Sequence, residues 1–447
     1  MKIAKKDLIE AISAVKGFCA SVKSLPICAK VLIDGPGQKL VATDLNSRAE
    51  FSLKIEDFKA TIMVENPVPA IGEDFMKLLG SQKAPDLKDL VAGDLFPEDS
   101  PARAAIKKDE RAKLIYELCE EDPDLYVKVL AALGEEYKDQ EVEVPEQFLV
   151  DPDLLLKIVK SEASSDVIVL QAEEYTVPAE ILDGEVKASA LKVGDHFQRV
   201  PLEHERDFPG WEELKMTAAM KLTGKQLGWV ASAKLPANDD KNTGFKSIIF
   251  FDSENDNVVT CDGSRLHILS GKVAAAENLF LERGPLGRVA VLAKEKDITV
   301  GVDAACEQAV LEIGSLKVFT HNDKTIQFPD YLKLSATQFV HEIEVDNETI
   351  ENVCKQVALI SNGADFTFNG SINAEAASEE SGECRRLNVP VKKGEVTPEV
   401  QVRLNPSFLM DALKGLAKKV TISLSDANTI VGFMSGDQRA LIMPMRV

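Results

Sequence analysis

The chain is 447 residues long, with a formal net charge of −21, 45% hydrophobic and 28% charged residues. That length exceeds one ordinary domain, and about three domains is the default expectation for a soluble globular composition of this kind. No apolar run approaches the ~20 residues of a membrane helix, and Asp7 and Glu10 interrupt the stretch behind Lys2, Lys5 and Lys6. That excludes a signal peptide and predicts a cytoplasmic protein with no membrane partner. Cys19, Cys28, Cys119, Cys261, Cys306, Cys354 and Cys384 are odd in number and form no CxxC pair. They read as reduced thiols, and the five histidines lack metal-ligand spacing, so neither a metal nor a cofactor is expected.

Six short amphipathic helices are predicted, each followed by alternating strand candidates. The first covers Lys6 to Phe18, with Leu8, Ile9, Ile12 and Val15 on one face. The second opens at Asp151-Pro152, a cap followed by proline at the first helical position, and runs to Lys160. A third starts near Thr223 with Leu227, Val230 and Ala231, and a fourth follows Pro285 with Leu286, Val289, Ala290 and Leu292. A fifth runs from about Asp346 through Ile350, Val353, Val357 and Ile360. The sixth opens at Asn405-Pro406 and carries Phe408, Leu409, Leu413 and Leu416.

The last four starts recur at roughly 60-residue intervals, whereas the first and second lie much further apart. Residues from about 60 to 149 therefore read as an insertion. It holds roughly twice as many acidic as basic residues, with helical periodicity over Ala104–Leu118 and Leu125–Leu133. Turn-rich Phe208-Pro209-Gly210-Trp211 and Leu334-Ser335-Ala336-Thr337 mark boundaries. The resulting domains are 1–211, 212–338 and 339–447, each with two helix-plus-strands units.

Three segments give this repeat a meaning. They are Val259-Thr260-Cys261-Asp262-Gly263-Ser264-Arg265-Leu266, Phe328-Pro329-Asp330-Tyr331, and Leu441-Ile442-Met443-Pro444-Met445-Arg446-Val447. Together they resemble the bacterial DNA polymerase sliding clamp, the β subunit of the replicative polymerase. The resemblance covers all three domains but not the insertion. It implies an α+β fold of three consecutive clamp domains that close into a ring as a homodimer. It also implies a non-catalytic processivity factor that encircles double-stranded DNA. The expected partners are the replicative DNA polymerase, the clamp loader and other proteins carrying a clamp-binding motif.

The resemblance further implies a peptide-binding pocket formed by Cys261, Gly263, Ser264, Arg265, Leu266, Pro329, Lys333, Leu334, Leu441, Met443, Pro444, Met445 and Arg446, with Phe366 as a further wall. Methionine suits such a site because its thioether adapts to several peptides. Cys261, Ser264, Lys333 and Val447 depart from the usual threonine, histidine, arginine and leucine, which bears on partner preference.

An acidic chain touches nucleic acid only where its cations gather on one surface. The predicted helices and their ends carry Lys5, Lys6, Lys16, Lys157, Lys160, Lys225, Lys234, Arg288, Lys294, Lys355, Lys414, Lys418 and Lys419. Of these, Lys157, Lys160, Lys225, Lys234, Arg288, Lys414 and Lys418 are the expected DNA contacts. Lys23 joins them by its place just after the first helix, where the family has a basic residue. No GxSxG, P-loop, GxGxxG or HExxH occurs, and Thr43-Asp44 and Asp262-Gly263 lack companion ligands for a metal-dependent hydrolase. The alternative to a sliding ring is a clamp-fold interaction scaffold that does not slide on DNA.

Overall fold

The computed structural model describes residues 1–21, 25–64, 140–145, 147–162, 166–178, 185–194, 198–201, 208–209, 215–233, 244–271 and 273–446. Lys23, Lys234, Gly210, Trp211 and both helices expected in the insertion lie outside these residues. Two compact units emerge: Met1–Asp57 with Gln147–Val447, and Phe58–Glu146. The stretch read as an insertion falls in the second unit up to Glu146; its last three expected residues, 147–149, belong to the first unit in the strand Gln147–Val150. Within the second unit the described strands form an antiparallel pair, Lys59–Val64 with Gln140–Pro145.

In the first unit the six predicted helix starts appear as α1 Lys5–Val15, α2 Pro152–Ser161, α3 Gly224–Ala231, α4 Arg283–Ala293, α6 Asn347–Val357 and α7 Pro406–Leu413; a short α5, Tyr331–Ser335, lies between α4 and α6. Four of the six start where a side chain satisfies the free amides of the first turn. Asp151 accepts from the amides of Asp153 and Leu154. Thr223 and Gln226 form a reciprocal capping box. Asp346 accepts from Thr349, and Asn405 accepts from Ser407. The fourth helix begins two residues before Pro285, behind Glu282, which makes no side-chain cap.

The helices pack in pairs, α1 on α2, α3 on α4 and α6 on α7. Each buries its apolar stripe, as with Ile350, Val353, Cys354 and Val357 of α6. Full burial of each aliphatic side chain of this size contributes about 1.5–3 kcal/mol.

Two eight-stranded antiparallel sheets dominate this unit. The first runs in the order Thr217–Thr223, Asp297–Val302, Gln308–Ile313, Leu316–His321, Ser47–Ser52, Lys39–Thr43, Val31–Asp34 and Gln147–Val150. The second runs Leu279–Glu282, Ile248–Asp252, Asn257–Cys261, Arg265–Ser270, Gln438–Ile442, Val431–Ser435, Lys419–Leu424 and His341–Asp346. Each sheet joins two four-strand sets that are distant in sequence, edge to edge. Five-stranded and four-stranded sheets complete the unit. The architecture is α+β. Among the described residues no helix is long and apolar enough to cross a membrane.

Candidate functional site

The three sequence segments converge on the middle of the second eight-stranded sheet. Arg265–Ser270 pairs with Gln438–Ile442 in the register Arg265↔Ile442, Leu266↔Leu441 and Ile268↔Arg439. Strand alternation then separates two faces. Arg265 and His267 turn towards α3 and α7, whereas Leu266, Ile268, Arg439 and Leu441 turn the other way. Beyond the strand, the Met443 amide donates to the Ser264 carbonyl at 2.8 Å, and the Met445 amide donates to the Arg403 carbonyl at 2.8 Å. Those two bonds carry the Met-Pro-Met segment from the end of the seam across to the strand Val400–Leu404 of the four-stranded sheet.

The face away from the helices is apolar. Val259, Cys261, Leu266, Ile268, Tyr331, Ile430 and Leu441 share one cluster, against which Phe245, Phe328 and Phe339 pack. The sequence reading missed Phe245 and Phe339 and took Phe328 only as part of its motif, not as a wall of the groove. Phe339 lies close because Gly432 opposite it has no side chain; a Cβ there would sit 3.2 Å from its ring. The rings change what the expected residues do. Cys261, Leu266 and Leu441 are buried (7%, 2% and 0% exposed), so they form a floor closed over by aromatics. The apolar surface in reach of solvent is instead Leu334, Met443 and Met445, at 38%, 45% and 38% exposed. Gly263 is exposed at a φ of +91°, and Ser264, Pro329 and Pro444 are half-buried. Lys333 and Arg446 are exposed, with Lys333 paired to Asp330 at 2.8 Å.

Leu334 is presented by a pin at the start of α5. The Tyr331 hydroxyl donates to the Asp252 carboxylate at 2.6 Å and accepts from Asn257 at 3.1 Å. Burial, reinforced by the bond to Asp252, pushes the phenol well above its ordinary range. Burial likewise raises the Cys261 thiol, so it behaves as a small hydrophobe and not a nucleophile.

Two expected groove residues lie elsewhere. Arg265 is on the helix face, 4% exposed. Its guanidinium bonds Asp262 at 2.8 Å and Asp411 at 2.5 Å and lies 4.1 Å from the centre of the Phe408 ring. It ties the seam to α7 and does not line the groove. Phe366 lies in the interior beside Ile350, Phe368, Leu404 and Phe433, around a small internal void. Its neighbour Asp365 faces outwards to Arg403, which is the alternation a half-buried strand imposes. Beside Arg265, His267 stacks on Trp229 at 4.6 Å. Trp229 donates to the Ala412 carbonyl at 2.7 Å. Burial drops the His267 pKa to about 4, and its Nε2 has no hydrogen-bond partner among the described residues.

The helix cations divide into two groups. Lys157, Lys160, Lys225, Lys414 and Lys418 are exposed, and none pairs with a carboxylate among the described residues. Arg288, also expected to contact DNA, differs from these in having an acidic neighbour. It reaches Asp44 at 3.6 Å and lies 5.6 Å from the Phe18 ring, so its charge is partly neutralised within the chain. Lys16, Lys355 and Lys419 are paired with Asp153, Glu351 and Glu344.

This architecture is that of the bacterial DNA polymerase sliding clamp. A Pseudomonas aeruginosa sliding clamp bound to griselimycin superposes with a TM-score of 0.66 at 17% identity, covering 100% of this chain and 99% of that one. The Bacillus subtilis clamp gives 0.66 at 12% identity over 100% and 98% of the two chains. The DNA polymerase III β subunit of Thermotoga maritima gives 0.64 at 15% over 100% and 99%. No protein-family model and no curated protein sequence matches the chain. At such identities the likeness is one of fold.

Proposed function

We propose that the chain is a sliding clamp. It comprises three clamp domains, 1–211, 212–338 and 339–447, with the insertion at about 60–149 in the first. Two copies close head to tail into a ring around duplex DNA. The ring performs no chemistry; it holds the replicative polymerase, the clamp loader and other motif-bearing proteins to DNA by an extended peptide laid on the Leu266–Leu441 seam. The carrying observation is the juxtaposition of three sequence-distant segments at that seam, with exposed methionines just beyond a buried apolar floor. Lys157, Lys160, Lys225, Lys414 and Lys418 supply phosphate contacts that position without reading sequence, and Lys23 and Lys234 join them.

Retention on DNA tests the reading. Loaded protein should stay on closed circular DNA through a high-salt wash and leave once the circle is linearised, and its mass in solution should be about twice that of the chain. Salt-sensitive binding that ignores DNA topology would reject the ring. The separate Phe58–Glu146 unit favours one second reading, a clamp-fold scaffold, which would hold partner peptides without topological retention.

A further inference from the structure

The chain carries −21 overall, yet the half-buried Lys246 and Arg439 beside the seam floor are both positive and meet no carboxylate among the described residues. The Lys246 ammonium reaches over the Asp262-Gly263-Ser264 turn; a Cβ on Gly263 would lie 3.8 Å from its nitrogen. That nitrogen is 6.0 Å from the centre of the Phe245 ring. The Asp262 carboxylate below is fully buried and already bonded to Arg265. At the other end, Arg439 shares the floor's face with Leu441, opposite Ile268, and its guanidinium lies 5.9 Å from the centre of the Phe339 ring. The nearest opposing influence is Glu342, which bonds Ser423. No carboxylate among the described residues comes within ion-pair distance of Lys246 or Arg439.

Each end of the floor therefore has the same construction: a phenylalanine covering the apolar cluster, with a cation beside it. A half-buried cation without a partner is costly to keep and gains most from an incoming anion. We propose that the seam selects an extended peptide whose apolar anchors are bracketed by carboxylates, one met by Lys246 and the other by Arg439. From the Gly263 turn to the level of Ile268 is at most five extended residues, about 16 Å at ~3.3 Å per residue. The two carboxylates should thus stand up to about five residues apart in an extended chain. Apolar anchors between them rest on the Phe245 and Phe339 rings. This deepens the partner-groove reading and depends on it.

Fluorescence anisotropy with two labelled hexapeptides, Glu-Leu-Ala-Leu-Phe-Glu and its analogue with both glutamates replaced by glutamine, tests the idea on the full chain. The acidic peptide should bind about tenfold more tightly at low salt, the sum expected of two partly exposed ion pairs. That ratio should shrink as salt screens it and fall to about one in Lys246→Gln/Arg439→Gln. A peptide keeping only one glutamate should respond to only one of the two single substitutions. Equal binding of both peptides would overturn the charge selection while leaving the groove standing; binding of neither would remove the groove and the selection with it. If the double variant loses DNA retention but keeps the peptide ratio, the cations belong to nucleic acid and the proposal is wrong.

Discussion

The two eight-stranded sheets are built alike and finished differently. In the first, Ser47–Ser52 meets Leu316–His321 in the register Leu316↔Phe51, Val318↔Ala49 and Thr320↔Ser47; in the second, Arg265–Ser270 meets Gln438–Ile442. Both joints bury antiparallel edges that would otherwise invite foreign strands. Their charges differ. Glu50 in the first joint is held by both Arg48 at 2.6 Å and Lys39 at 3.2 Å, all three largely buried. In the second joint Arg265 closes its charges on the helix face, while on the other Lys246 and Arg439 meet no carboxylate among the described residues. A joint between strand sets needs only edge pairing; a recognition surface also needs segments laid across it and polarity left unsatisfied. The second joint has both, which is why we place the partner site there.

The largest test of this contrast is to remove the central arginine of each joint. Arg265→Ala strands the fully buried Asp262 carboxylate, and breaking a buried pair in that way costs about 3–5 kcal/mol. Arg48→Ala leaves Glu50 with Lys39 and should cost clearly less. Urea denaturation of both variants reads the difference, and equal losses would mean the two joints are electrostatically equivalent.

Acid should weaken the second joint through His267. Its folded pKa of about 4 lies below its ordinary 6.5, so the unfolded chain binds the extra proton more readily. Its contribution is complete above pH 6.5 and falls as pH drops towards 4, by about 3 kcal/mol across that window. In His267→Gln, stability followed by thermal denaturation between pH 7 and 4.5 should decline more gently than in the parent. An unchanged slope would place the acid sensitivity elsewhere.

Much of this arrangement is legible in the sequence, for reasons of locality. A cap and its first turn are neighbours in the chain, so Asp151-Pro152, Thr223 with Gln226, Asp346 and Asn405-Pro406 announce their helices. The start at Arg283 has no such signal, because Glu282 caps nothing with its side chain, and Pro285 marks it two residues late. The groove is read less well. A motif treats Arg265 and Leu266 as one unit, but adjacent strand residues face opposite sides, so one ties the helices and the other floors the seam. Phe245 and Phe339 look like ordinary core residues in sequence. Only the pairing of distant strands, and the missing Cβ at Gly432, brings them over the floor.

A smaller effect should follow Tyr331→Phe. The ring keeps its place beside Phe250 and Phe328, and Asp252 retains the amides of Glu254 and Asn255. The lost hydroxyl bond should cost about 1 kcal/mol. Because that bond fixes the start of α5, peptide affinity should fall several-fold more than stability alone explains, through a looser Leu334. A binding loss no greater than that from an exposed control substitution would show that α5 is held by packing.

Deleting Met443 to Val447 should change stability least and binding most. The segment gives two backbone bonds, from Met443 to Ser264 at the seam and from Met445 to Arg403 on the strand Val400–Leu404, each contributing about 1 kcal/mol at most in a solvent-exposed setting. The floor beneath stays covered by Phe245, Phe328 and Phe339, so no cavity opens and the melting temperature should hardly move. The exposed Met443 and Met445 side chains, however, are much of the apolar surface a peptide can reach, and affinity concentrates in a few such anchors. Anisotropy with the acidic hexapeptide should therefore show binding lost while DNA retention persists. The matching operation on the first joint, Phe51→Ala, should do the reverse, weakening the fold and sparing the peptide. Retained peptide binding after the deletion would mean that the phenylalanines alone make the groove, and the difference between the two joints would then lie in their aromatics and not in the terminal segment.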